Sequence, residues 1–128
     1  MADEDGPAVF LVDDDDDVRI ALDALLRSCG FRVEAFASVA AFKASGSFPA
    51  PGCLLLDVRL PGQSGISFQA ELAEQGIELP VILMSGHADA ASASRALELG
   101  AIAFLIKPVP PEELIDAVRT GLARFGRE

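Results

Sequence analysis

Five short apolar runs, separated by longer stretches of helical period, constrain the fold of this chain more than any other feature. The runs are Ala8 to Val12, Arg32 to Ala35, Cys53 to Leu56, Val81 to Met84 and Ala103 to Ile106. Such alternation is the signature of a parallel sheet with helices on both faces. Four of the runs are dominated by apolar residues, as strands buried on two faces should be. The polar run at Arg32 is expected at an edge.

Between the runs the chain carries helix start and stop signals. Asp16 can cap a first helix whose Val18, Ala21, Leu22, Leu25 and Cys29 fall at helical spacing, with Gly30 to stop it. Ser38 starts a short second helix ending near Ala44. A turn-rich loop, Pro61-Gly62-Gln63-Ser64-Gly65, leads to a third that stops at Gly76. The fourth opens at Asp89 or a neighbour and closes at Gly100. The fifth opens at Pro110 or Pro111, with Glu112 and Glu113 well placed against its positive start.

At 128 residues the expectation is one domain, residues 1–128, with its folded unit from about Pro7 to Phe125. The fold class is α/β: a doubly wound, flavodoxin-like five-stranded parallel sheet of order 2-1-3-4-5 with five helices and right-handed crossovers, its site at the carboxyl ends of strands 1 and 3.

A net charge of −10 argues against nucleic-acid binding by this chain, because phosphate contacts need clustered Lys and Arg. No apolar run approaches the ~20 residues needed to span a bilayer, and the acidic start is unlike a signal peptide. A cytoplasmic protein with no membrane partner is the expectation. Cys29 and Cys53 have no metal-ligand spacing and read as two buried free thiols. With His87 as the only histidine, zinc is not expected.

The first apolar run leads straight into Asp13-Asp14 and the third into Asp57. On neighbouring parallel strands these three acids meet at one edge. A carboxylate pair ~4 Å apart repels by roughly 4 kcal/mol at an effective dielectric near 20, so a cation is needed among them. A hard divalent ion with oxygen ligands suits that role.

Four fragments stand in order on strand ends: Val12-Asp13-Asp14, Asp57-Val58-Arg59-Leu60-Pro61 with Gly65 behind it, Met84-Ser85-Gly86-His87, and Phe104-Leu105-Ile106-Lys107-Pro108. Together they resemble the receiver domain of two-component response regulators over essentially the whole chain. The Ser-Gly-His step and the Arg59-Leu60-Pro61 loop resemble the FixJ subclass.

The resemblance implies that Asp57 accepts a phosphoryl group from a phosphohistidine on a sensor histidine kinase or phosphotransfer protein. It implies Mg²⁺ held by Asp14 directly, Asp13 through water, the Asp57 carboxylate and the Arg59 backbone carbonyl. Lys107 would follow a phosphoryl oxygen as a compact cation, the alternative being a salt bridge to Asp57 alone. Ser85 would donate its hydroxyl, or else be a plain strand-end polar residue. Phe104 matches the family's rotating aromatic, with static core packing as its competitor. Arg59 and His87, each two residues past a site residue, would tune dephosphorylation or be ordinary surface residues. The Lys107–Pro108 peptide would be cis and aim Lys107 at the pocket.

The implied function is a signalling switch that promotes its own phosphorylation and dephosphorylation, with no turnover of an external substrate. Partner affinity would change through the face of helix 4, strand 5 and helix 5, and homodimerisation on phosphorylation is among the implied outcomes. A phosphatase of the haloacid dehalogenase type would want an acid where Arg59 stands. A flavodoxin-like electron carrier would want a Ser/Thr/Gly-rich phosphate loop and a Trp or Tyr over the flavin. A receiver-like scaffold that is never phosphorylated is opposed by the complete set Asp14, Asp57, Ser85 and Lys107. The chain stops almost directly after the fifth helix, so no output domain is expected within it. FixJ-like receivers usually precede a helix-turn-helix module, which favours a piece of a longer regulator over a stand-alone one.

Overall fold

The computed structural model describes residues 7–45, 52–86 and 90–125. Strands β1 (Ala8–Val12), β2 (Val33–Phe36), β3 (Gly52–Asp57), β4 (Val81–Ser85) and β5 (Ala103–Ile106) alternate with helices α1 (Asp16–Ser28), α2 (Val39–Ala44), α3 (Gly65–Glu74), α4 (Ala90–Glu98) and α5 (Pro111–Phe125). All strand pairs are parallel and the order is β2-β1-β3-β4-β5, as expected. The polar β2 lies at an edge. The opposite edge is β5, which is only partly buried and leaves Ile106 exposed. Among the described residues no helix is long and apolar enough to cross a membrane.

Because successive strand residues point to opposite faces, the central strands feed two separate cores. Phe10, Val12, Leu54, Leu56 and Leu83 face α2, α3 and α4, meeting Phe42, Phe68 and Ala96. Phe42 touches Phe10 and Phe36 with ring centroids 5.4 and 5.3 Å apart and meets Phe68 edge-on at 6.1 Å. Val9, Leu11, Leu55, Ile82 and Met84 face α1 and α5, meeting Leu26, Leu114 and Val118.

Three expectations need correction. Asp15, not Asp16, caps α1, its carboxylate accepting the backbone N–H groups of Asp17 and Val18. Cys29 is exposed, because it is the C-cap, one residue past the end of α1 and outside its buried face. Leu26 is the fully buried residue of α1, while Ala21 is exposed. Asp89, a candidate opener of α4, lies outside the described residues.

Cys53 is buried in β3, and burial pushes its thiol up to about 12. Gly121 lies directly over it in α5, where a Cβ would come within 2.5 Å of the Cys53 Sγ. Gly121→Ala therefore sets an overpacking cost of ~1–3 kcal/mol against a helix-propensity gain of ~1 kcal/mol. Urea denaturation should show a net loss of about 1 kcal/mol. In a Cys53→Ala background, where the obstructing sulfur is gone, the same substitution should stabilise. Equal effects in both backgrounds would contradict the close approach.

Candidate functional site

Val12 of β1 pairs with Leu56 of β3, so the residues that follow, Asp13 and Asp57, leave the sheet side by side. Asp57 in turn pairs with Met84, which sets Ser85 one step further along, and Ser85 pairs with Ile106, which sets Lys107 at the exit of β5. The backbone N–H of Lys107 donates to the Ser85 carbonyl at 2.7 Å, continuing the ladder past the strand. One sheet edge thus collects residues scattered along the chain.

Carboxylate oxygens of Asp13, Asp14 and Asp57 lie within 4.8 Å of one another. Asp13 is fully buried and Asp57 nearly so, whereas Asp14 is exposed. Lys107 Nζ donates to Asp13 Oδ2 at 2.9 Å and to Asp57 Oδ2 at 3.2 Å. The sequence suggested Asp57 as the partner, so the shorter bond to Asp13 is an addition. The Lys107–Pro108 peptide is cis, as the resemblance implied.

Asp13 has a protein partner at each polar position. Its N–H donates to the Phe36 carbonyl at 3.1 Å, and its own carbonyl accepts Arg19 Nη1 at 2.8 Å. Its Oδ1 accepts the Asp15 N–H at 2.9 Å, and its Oδ2 accepts Lys107. Arg19 escaped the sequence reading. Its charge pairing with Asp16, three residues earlier on the helix, is a legible signal; its reach back to Asp13 is not.

Burial pushes the Asp57 carboxyl above its usual range, the nearby Lys107 charge opposes this, and the Asp13 charge reinforces it. Burial alone would lower Lys107, but the hydrogen bond and charge of Asp13, followed by those of Asp57, overbalance it and raise the ammonium. The ammonium faces two carboxylates, while Asp57 shares Lys107 with Asp13.

The loop after β3 is tied down from both ends. The Arg59 N–H donates to Asp57 Oδ1 at 3.3 Å, while the Arg59 side chain is exposed. A Cβ on the buried Gly65 would run into the Asp57 carbonyl, so only glycine lets α3 start this close to the acid. Gln63 donates to Glu71 Oε1 at 2.9 Å, and Lys43 of α2 reaches Glu71 Oε2 at 2.7 Å. The Gln63 bond, then the Lys43 bond, holds the Glu71 carboxyl below its usual range.

Ser85 is buried at the end of β4, beside Asp57. Phe104 is half-buried on β5 and packs on the core that α4 covers. His87 lies outside the described residues. The structure therefore brings Asp13, Asp14, Asp57, Ser85 and Lys107 to one edge, sets Arg59 on its rim and leaves Phe104 one layer behind.

The family model for the response regulator receiver domain matches residues 9–119. The chain belongs to this family. The receiver domain is 46% identical over 114 residues to the response regulator protein TmoT of Ectopseudomonas mendocina, covering 89% of the chain and 52% of that protein. It is 44% identical over 120 residues to the transcriptional regulatory protein FixJ of Azorhizobium caulinodans, covering 94% of the chain and 57% of that protein, in keeping with the FixJ-like features of the sequence. The solved structure of the response regulator StyR superposes with a TM-score of 0.88 at 41% identity, over 95% of this chain and 62% of that one. The receiver domain thus spans about half the length of the curated relatives it matches. It is a signalling module of two-component systems with the five-stranded receiver fold.

The raised Asp57 carboxyl has a consequence for stability. A carboxyl whose folded pKa exceeds its ordinary 3.8 costs folding energy when ionised. That cost is complete above the folded value and vanishes as pH falls to the unfolded one. In EDTA, Asp57→Asn should therefore melt higher than wild type at about pH 7, the gap closing toward about pH 4. Circular-dichroism melts across this range test it, and a less stable Asp57→Asn at neutral pH would show that Lys107 outweighs burial.

Proposed function

We propose that this chain acts as a single phosphoacceptor unit in which an Asp57 carboxylate oxygen attacks the phosphorus of a phosphohistidine on a sensor kinase or phosphotransfer protein. A P–O bond forms, the P–N bond breaks and the imidazole departs. The observation that carries this reading is the convergence of Asp57 with two further acids and the Lys107 ammonium at one sheet edge. Phosphoryl transfer depends mostly on positioning and charge neutralisation, and these groups supply both.

The donor set fits Mg²⁺, which takes a few carboxylates and keeps several waters. Asp14 and Asp57 would hold it directly. Asp13, its oxygens already engaged by Lys107 and the Asp15 N–H, would act through water, and the Arg59 carbonyl would complete the protein share. When bound, the ion would offset charge on the phosphoryl oxygens. The Arg59 N–H and Lys107 each take one Asp57 oxygen and orient the carboxylate.

A groove of about 350 Å³ lined by Val18, Ala21, Leu22, Met84, Lys107, Pro108 and Val109 opens beside Lys107, and the donor protein would seat there. After transfer, Ser85 and Lys107 would shift toward the phosphoryl group and Phe104 would turn inward. The face of α4, β5 and α5 would then change, where exposed Leu97 and Ile106 offer apolar surface for a second copy. Arg59 and His87 would set how fast water removes the phosphoryl group. The domain would do this in the cytoplasm, without turning over an external substrate.

Incubation with acetyl phosphate and Mg²⁺, read by intact mass, tests the assignment. Wild type should gain one phosphoryl mass and Asp57→Asn none. Equal labelling of both would remove Asp57 from its role, and labelling of neither would favour an unphosphorylated scaffold. Ser85→Ala should still be labelled while losing most of the phosphorylation-dependent change in oligomeric state, read by light scattering.

A further inference from the structure

We infer that Arg19 is a positioning residue for the cation site, acting through the peptide that joins Asp13 to Asp14. This deepens the reading above and rests on it. Arg19 lies on α1 with its guanidinium largely covered, a fifth of the side chain remaining accessible. One arm, Nη1, donates to the Asp13 carbonyl at 2.8 Å, and the other, Nη2, to Asp16 Oδ1 at 2.6 Å. The planar fork of a guanidinium spans two acceptors at once and holds them in fixed relation, which the point charge of a lysine does not do.

The carbonyl it grips is half of the rigid unit that leads into Asp14. A peptide is planar, so fixing the Asp13 C=O also fixes the Asp14 N–H and the direction in which the Asp14 Cα enters. Asp14 is the exposed member of the acid cluster, whereas Asp13 is pinned on all sides. Arg19 thereby orients the carboxylate that would bind the ion without touching it. Its anchor Asp16 stands on the first turn of α1, so the loop is referred to the helix instead of being left to its own torsions.

Charge and geometry predict opposite signs for removing this residue. Arg19 is a cation near a cation site, so on charge alone Arg19→Ala would tighten metal binding. If the residue works by position, the same substitution weakens it, since removing a group that orients a ligand typically lowers affinity by about 10-fold or more. Mn²⁺ binding followed by the electron paramagnetic resonance of the free ion separates the two, with melting in EDTA recorded alongside.

Arg19→Ala should bind Mn²⁺ about 10-fold more weakly than wild type. Arg19→Lys, which keeps the charge and loses the fork, should also be weakened, and it serves if the alanine variant does not fold. Asp16→Asn, which removes the anchor charge and leaves the Asp13 contact, should fall between wild type and Arg19→Ala. Unchanged or tighter binding in both Arg19 variants would overturn the proposal while leaving the site intact. Absence of Mn²⁺ binding by wild type, or undiminished binding by Asp14→Asn, would remove the site reading and the clamp with it.

Discussion

The Lys107 ammonium, seated between the carboxylates of Asp13 and Asp57, allows the rest of the site to exist. Two carboxylates ~4 Å apart repel by roughly 4 kcal/mol at an effective dielectric near 20, and here one is fully buried and the other nearly so. Lys107 relieves that repulsion from β5, two strands beyond the neighbour β3 of the strand that delivers Asp13. A parallel sheet makes this possible because it sends every strand's carboxyl end to the same edge. Three carboxylates facing the Lys107 ammonium make a donor set whose excess negative charge a divalent cation would offset.

Burial of Asp57 links this balance to reactivity. A carboxyl pushed up by desolvation is a stronger base, which would suit the proposed role of Asp57 as nucleophile. The neighbouring groups keep it in place instead of quenching it. Arg59 and Lys107 each engage one oxygen, Gly65 admits the start of α3 against its backbone, and the Gln63–Glu71–Lys43 chain anchors the intervening loop. The exposed part of that chain adds little to stability, and its effect is on loop geometry.

Much of this arrangement was legible in the residues. Acids at the ends of two apolar runs and a lysine at the end of another announce a shared edge once the runs are read as parallel strands, and β2 declared itself an edge by its polarity. The Lys107–Asp13 bond was not legible, because it joins positions 94 residues apart and depends on the depth at which each strand ends. The cap of α1 was ambiguous among five consecutive aspartates of equal capping power, and Asp15 is selected where Asp13 captures its N–H. Cys29 matched the apolar stripe of α1 by spacing, yet the helix ends at Ser28 and the stripe ends at Leu26. Arg19 could be paired with Asp16 from spacing alone, but its second arm needed coordinates.

Three carboxylates and a lysine are proposed to form one cation-dependent site. Diffraction from crystals soaked in Mn²⁺, with anomalous differences recorded at the manganese edge, tests it most directly. A single strong peak within coordination distance of the Asp14 and Asp57 carboxylates is the predicted result. A peak elsewhere, or none while Lys107 bridges Asp13 and Asp57 undisturbed, would contradict the account.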